Sequence, residues 1–376
     1  HIVEPGLELM VEKGVKSGFL RAVTSPEPAD AFLIAVPTPF LKHISEDSLP
    51  KPDLSYIESA SRSVAKVLKK GDVVILESTS PVGTTEKMAE WLAQERPDLT
   101  FPQTHGSISD IRIAYCPERV LPGNVINELI QNDRVIGGMT ESCSEAAIEV
   151  YGSFVEGSCV TTNARAAEMT KLTENASRDV GIAFANELSV ICDDQDIDVW
   201  ELIRLANRHP RVNILQPGPG VGGHCIAVDP WFIVDRSPNH SKLIKTAREV
   251  NDQKPQWVVD KVKLAIADIL LKNPSKSSCD ISIACYGLAF KPNIDDLRES
   301  PALLISKKII EMHSGSVLLV EPNITSLSTD FKDYELSNFD EARREADIHL
   351  LLVDHNEFKD RRPSCGEIID TRGIWR

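Results

Sequence analysis

The chain has 376 residues, 42% of them hydrophobic and 26% charged, and a formal net charge of −15. That length accommodates two or three domains, and that charge argues against nucleic acid and anionic membrane surfaces as partners. No window approaches eighteen uninterrupted apolar residues, so no segment reads as a membrane span, and no secretory leader is visible. Eight cysteines occur, with no CxxC pair and no His/Cys cluster at zinc spacing, so the expectation is a reduced, cytoplasmic protein without a metal site.

In chain order, a helix is expected from about residue 5 to residue 18. Ala31-Phe-Leu-Ile-Ala-Val-Pro37 is a short apolar run of the kind that forms a strand buried on both faces. After a loop with Pro37, Pro39, Pro50 and Pro52, a helical pattern runs from Leu54 to Lys70, and Asp72–Ser78 gives a second strand. Thr79–Thr85 has turn and helix-start chemistry, and a helix to about Gln94 follows. Ile111–Tyr115 and Arg134–Ile136 read as further strands. Strands alternating with helices predict a parallel α/β sheet, and such sheets take dinucleotides at the carboxyl ends of their strands. The GxGxxG fingerprint of that site is absent from the 376 residues. The expectation is that the first strand, helix and second strand, which would carry it, are missing ahead of His1.

The middle reads as helical. Asn163 to Asp194 contains no proline and is rich in Ala, Glu and Leu, which predicts one helix roughly 45 Å long. Such a helix can bridge two domains and support dimer contacts. Lys171 and Asn175 share one of its faces, a spacing that suits solvated decoration as well as a site. Further helices are expected at Asp198–Asn207 and Ser241–Ile269. A polar linker, 272–278, leads to strands at Ile281–Tyr286, Val317–Val320 and Ile348–Val353, with a helix beginning near Pro301. The order is α/β, helical, α/β.

Pro217–Asp229 carries more chemistry than any other stretch. Cys225 follows a run with four glycines, and Asp229 comes four residues later. Glycine lets another molecule approach the backbone. A thiol presented from such a bend can attack a bound carbonyl, and an acid beside it can orient water or tune the thiol. The bland alternative is a Gly-rich loop with an ordinary buried cysteine.

Seven motifs change that balance: Val36-Pro-Thr-Pro39, Glu77-Ser-Thr-Ser-Pro-Val-Gly83, Cys116-Pro-Glu-Arg119, Asp133-Arg-Val-Ile-Gly-Gly138, Glu168-Met-Thr-Lys-Leu-Thr-Glu-Asn175, Val221-Gly-Gly-His-Cys225 and Gly287–Ala302. In this order the set resembles the UDP-sugar 6-dehydrogenases of the UDP-glucose/GDP-mannose dehydrogenase superfamily, over essentially the whole chain. Within it, Asn207–Trp231 is most similar to UDP-N-acetyl-D-mannosamine dehydrogenases. The resemblance implies two Rossmann-like parallel-sheet domains joined by a central helical domain with one long helix. Residues 1–160 would bind NAD, 161–270 would form the catalytic and dimerisation domain, and 279–376 would bind the UDP-sugar. The implied reaction is a four-electron oxidation of a UDP-N-acetylhexosamine at C6, with two NAD in turn, for bacterial surface polysaccharides. The implied assembly is a homodimer through the central helix. Alternatives are a non-catalytic UDP-sugar-binding relative, a dehydrogenase of UDP-N-acetylglucosamine or UDP-glucose, and a 3-hydroxyacid-type dehydrogenase, against which Cys225 and the second α/β domain speak.

Residue roles follow from the resemblance. Cys225 is the nucleophile. Lys171 stabilises alkoxide and oxyanion charge, Asn175 donates to the same oxygen, and Asp229 holds or activates water. Glu118 is a candidate base, the alternative being an acid at a helix N-terminus. Thr79 lies near the nicotinamide or the catalytic water, the alternative being an N-cap. Val36, Pro37, Thr38 and Thr79 line the cofactor cleft, and Arg298 reaches it from the far domain. Arg119, Gly222, Gly223 and Lys291 contact the substrate, and Arg208 and Arg211 supply charge to its diphosphate. Two positions depart from the pattern of glucose-type relatives: His224 stands where they carry Ser, and Val228 where they carry Lys. Pro122 replaces a second acid that many relatives place four residues after Glu118.

Overall fold

The computed structural model describes residues 6–41, 49–120, 123–223, 225–327, 331 and 334–376. Pro122, His224 and the first residue of the expected N-terminal helix lie outside the described residues. In chain order the elements are α1 (Leu7–Lys16), β1 (Ala31–Ile34), α2 (Ser55–Ala65), β2 (Val73–Leu76), α3 (Thr84–Glu95), α4 (Pro102–His105), β3 (Arg112–Tyr115), α5 (Val125–Gln131), β4 (Arg134–Gly138), α6 (Glu141–Tyr151), β5 (Cys159–Asn163), α7 (Ala164–Asp194), α8 (Val199–Ala206), α9 (Asp229–Arg236), α10 (Lys242–Lys272), β6 (Ile283–Tyr286), α11 (Pro301–Met312), β7 (Val317–Val320), α12 (Phe339–Glu345), β8 (Ile348–Leu351) and β9 (Glu367–Asp370). They fall into two compact units. The first comprises residues 2–175 with 228–241, and the second residues 176–227 with 242–376.

The first unit is built on a five-stranded sheet in the order β1-β2-β3-β4-β5. The apolar run of β2 is buried on both faces, whereas β1, at the edge of the sheet, departs from the expected burial on both faces: Phe32 and Ile34 are buried but Leu33 is 44% exposed. Val74 and Leu76 pack with Ile57, Ala65, Met88 and Leu92 from α2 and α3. Val73 and Ile75 pack with Ile136, Ala147 and Tyr151 on the other side. β1, β2 and β3 run parallel, with Ala31 opposite Val73 and Val73 opposite Arg112. The reading of a parallel sheet needs one correction: β4 pairs antiparallel to β3, through Ala114 with Gly138 and Tyr115 with Gly137. Side-chain alternation is the same whichever way a strand runs, so the sequence pattern carries no direction. Helix α2 ends at Ala65 rather than Lys70, because Asp72 accepts the Lys69 N–H at 2.8 Å and turns the chain into β2.

The second unit holds an all-parallel sheet in the order β7-β6-β8-β9. One face is covered by Val258, Val259 and Val262 of α10 and Ile305 and Ile309 of α11. The other is an aromatic cluster of Tyr286, Phe339, Phe358 and Trp375. Within this unit the later part of α7 is tied to α10 by a buried ion pair, Arg248 with Asp179 at 2.6 Å, and by Asn251 donating to the same carboxylate at 2.8 Å. Among the described residues no helix is long and apolar enough to cross a membrane.

Candidate active site

Three of the expected residues converge in the first unit. Lys171 and Asn175 stand one turn apart on α7, and Asp229 opens α9 with Pro230 behind it. The Asn175 amide donates to the Asp229 carboxylate. Asp229 is only 4% exposed. Burial is the main cause pushing its carboxyl from 3.8 up to about 6, against the opposing pull of the Asn175 hydrogen bond and the Lys171 charge. A carboxylate that titrates near neutrality beside an ammonium and an amide is equipped to take or give a proton. The Lys171/Asn175 pair thus stands against a buried carboxylate.

Glu118 and Arg119 lie in the irregular segment after β3. Glu118 is not at a helix N-terminus, so that alternative falls. The buried Arg134 guanidinium donates to both Glu118 oxygens at 3.2 and 3.3 Å. Arg119 forms an ion pair with Glu174 at 2.7 Å and donates to the Asp133 carbonyl at 3.2 Å. Thr79 is not an N-cap either: α3 begins at Thr84 after Gly83. Glu168 fulfils the capping role instead, accepting from Gly83 N, Thr85 N and the Thr85 hydroxyl at 2.6–2.8 Å. Arg134 and Glu168 both sit inside quoted motifs without an assigned role. Their buried charge needed a partner, and that was the signal available in the sequence.

The segments following β1 and β2 are stitched together at the carboxyl ends of these parallel strands. Val36 N donates to the Ser78 hydroxyl at 2.8 Å, and the Thr38 hydroxyl donates to the Thr79 carbonyl at 2.6 Å. Val36, Pro37, Thr38 and Thr79 thus form one fixed ledge where open α/β sheets take dinucleotides. These residues fit a share of a nicotinamide cofactor's site.

In the second unit, the glycines of Pro217–Gly223 have a different use from the one expected. They let the protein's own chain come close. A Cβ on Gly222 would meet the Glu299 carbonyl and Pro301 Cδ at 2.6 Å, and Gly223, at φ 78°, lies against the Phe290 ring. The Gly218 N–H is held by the buried Asn186 side chain at 2.9 Å. Cys225 follows this pinned run and is exposed, which removes the reading of an ordinary buried cysteine. The Arg298 guanidinium is held in its charged form first by its ion pair with Asp296 and further by the neighbouring Cys225. Lys291 is half-buried on the segment after β6. Arg208 and Arg211 are exposed on a turn clipped by Asn207, which bonds both the N–H and the carbonyl of Ile214. A cavity of about 200 Å³ in the same unit is lined by Trp200, Trp257, Lys254 and Asp193, and it holds none of the expected catalytic or substrate residues.

Comparison with known proteins adds the decisive observation. Residues 1–155 match the NAD binding domain of the UDP-glucose/GDP-mannose dehydrogenase family, 165–253 its central domain and 284–376 its UDP binding domain. The chain belongs to this family. It is 62% identical, over its full length and 89% of the relative, to the UDP-N-acetyl-D-mannosamine dehydrogenase of Escherichia coli K12. It is 60% identical to the NDP-N-acetyl-D-galactosaminuronic acid dehydrogenase of Ralstonia nicotianae, covering 86% of it. Among solved structures, it superposes on the UDP-D-ManNAc dehydrogenase of Pyrococcus horikoshii with a TM-score of 0.84 at 36% identity, covering 100% of this chain and 86% of that one. The UDP-N-acetyl-mannosamine dehydrogenase of Staphylococcus aureus gives 0.81 at 39% identity, with 100% and 84% covered. Each sheet is accordingly the core of a Rossmann-like domain, one before and one after the helical central region in the sequence, and the family's activity is NAD-dependent oxidation of a UDP-sugar.

Proposed function

We propose that this family member oxidises UDP-N-acetyl-D-mannosamine at C6 to the uronate, in the cytoplasm, for surface polysaccharide synthesis. In this reading residues 1–160 hold NAD, 161–270 supply catalysis and the dimer contact, and 279–376 hold the UDP-sugar. The observation that carries it is the Lys171–Asn175–Asp229 cluster, with its carboxyl at about 6, in a chain whose exposed Cys225 follows a pinned glycine run. NAD, when bound, accepts the hydride of each of two oxidations.

The chain's own residues do the rest. Lys171 and Asn175 stabilise the C6 alkoxide as its proton leaves. The Cys225 thiolate adds to the aldehyde carbonyl, giving a thiohemiacetal whose carbon carries the second hydride. Loss of that hydride leaves a thioester, and Asp229, with Glu118 as a second candidate base, takes a proton from the water that cleaves it. The products are the carboxylate and the free thiol, so each sugar consumes two NAD and one water. Val36, Pro37, Thr38 and Thr79 line the cofactor's site, with Arg298 reaching it. Lys291 and Arg119 contact the substrate, and Arg208 and Arg211 face its diphosphate. Exposed Phe184 and Ile191, seven apart on α7, support a homodimer through that helix.

The relative at 60% identity that carries a galactosaminuronic acid name favours a second reading, in which the sugar is the galacto isomer. One assay separates the two. Purified protein is offered UDP-N-acetyl-mannosamine, -galactosamine and -glucosamine, and NADH release is counted per sugar. Two NADH with the manno isomer alone is expected, and two with the galacto isomer alone would replace it. Cys225→Ser is expected to form no acid; acid formation at the wild-type rate would remove Cys225 as the nucleophile.

A further inference from the structure

The second sheet carries an internal arrangement that the reaction does not use. Its strand order places β7 and β8 on opposite sides of β6. Open α/β sheets bind ligands at such a switch point, outside the carboxyl ends of the strands. The segment after β6 carries Lys291, and the segment after β8 carries His355. In a dinucleotide-binding sheet the acid at the end of the second strand holds a ribose. The equivalent acid here, Glu321 after β7, is turned inward and 4% exposed.

Its carboxylate accepts from Leu288 N at 2.7 Å, Ala289 N at 3.1 Å, Asn323 N at 3.0 Å and His355 Nε2 at 3.0 Å. His355 is fully buried, and its Nδ1 accepts from Asn293 N and from the Asn323 amide, both at 2.9 Å. With Nδ1 accepting, the ring proton sits on Nε2 and points at Glu321. Asn293 has a φ of 61°, a backbone state that costs a non-glycine residue and persists only when its surroundings enforce it. Its side chain in turn accepts from Asn356 N at 2.9 Å. The Leu288–Asn293 segment is thus gripped at one end by Glu321 and at the other by His355, and Lys291 lies between the two grips.

We propose that the buried Glu321–His355 pair is a positioning device that sets the Leu288–Asn293 segment for a pyrimidine nucleoside diphosphate. This rests on the reading of Lys291 as a nucleotide contact. Glu321→Gln keeps the volume but offers one acceptor oxygen, where Leu288 N, Ala289 N and His355 Nε2 now converge on one carboxylate oxygen and Asn323 N on the other. Either amide orientation therefore sets a donor against a donor.

The test is calorimetric binding of UDP alone to the full chain. Glu321→Gln is expected to weaken UDP at least tenfold, and Asn323→Ala about threefold. Ser306→Ala, which removes an equally buried hydrogen bond on α11, is expected to leave UDP affinity unchanged. The nitrogen NMR signals of His355 are expected to show Nδ1 unprotonated in the wild type. UDP affinity within twofold of wild type in Glu321→Gln, an equal loss in Ser306→Ala, or a protonated Nδ1 overturns the proposal. If Glu321→Gln does not fold, Asn323→Ala decides by the same readout. Lys291→Met separates the two layers. Unchanged UDP affinity there removes the nucleotide role of Lys291, whereas a loss there with none in Glu321→Gln removes only the positioning role.

Discussion

Asp229 was legible in the sequence as an acid four residues after a cysteine, but its environment was not. Burial moves its carboxyl to about 6, and no spacing rule conveys desolvation. If it acts as a base, kcat/KM is expected to rise as pH passes through about 6. Because the Asn175 hydrogen bond opposes the upward shift, Asn175→Ala is expected to move that midpoint higher, together with the loss of rate. A pH–rate profile of both proteins checks this, and an unmoved midpoint would detach Asp229 from the profile. The same shift has a stability consequence. With the folded carboxyl above the unfolded 3.8, the group's contribution is present below about pH 4 and lost as pH rises through 6. Glu118 and Thr79 show the reverse limit. Their alternatives as helix-end residues were reasonable from composition and fell only because the helices begin elsewhere.

Among elements, long and strongly patterned ones were read well. Helix α7 was expected at Asn163–Asp194 and is found at Ala164–Asp194, and Pro301 begins α11 as anticipated. Edge strands β5 and β9 were missed, because Cys159–Asn163 and Glu367–Asp370 bury little and show no apolar run. Helix α6 was missed although its signal was present: Thr140 caps it, and Cys143, Ala147 and Tyr151 recur every fourth residue. Helix α10 holds a feature with a measurable outcome. Lys254 is 4% exposed, donates to the Ser189 hydroxyl at 2.6 Å and lies 3.5 Å from the Trp257 ring centre. Burial depresses its ammonium from 10.5 to about 7. The unfolded chain therefore holds the extra proton between about pH 7 and 10.5, and stability is expected to rise across that window. Lys254→Met is expected to flatten that rise. Thermal unfolding at pH 6 and 9 measures it, and a wild-type pH slope in the variant would refute the assignment.

For the whole molecule, a net charge of −15 with a UDP-binding domain requires local cationic islands. Lys291, Arg298, Arg208 and Arg211 of the second unit are candidates for these. Phe184→Glu, on the exposed face of α7, is expected to shift the species seen by light scattering from dimer to monomer, and an unchanged mass would move the interface elsewhere. The motifs, their order and the apolar strand runs were enough to name the fold class and the family, because local periodicity and chemically constrained residues are written in the chain itself. Tertiary structure alone decided the direction of β4, the inward use of the glycine run, the hydrogen-bond partners of Glu118 and Glu168, and the titration of Asp229. Each depends on which distant groups exclude water from a residue or bond to it, and sequence spacing does not record those contacts.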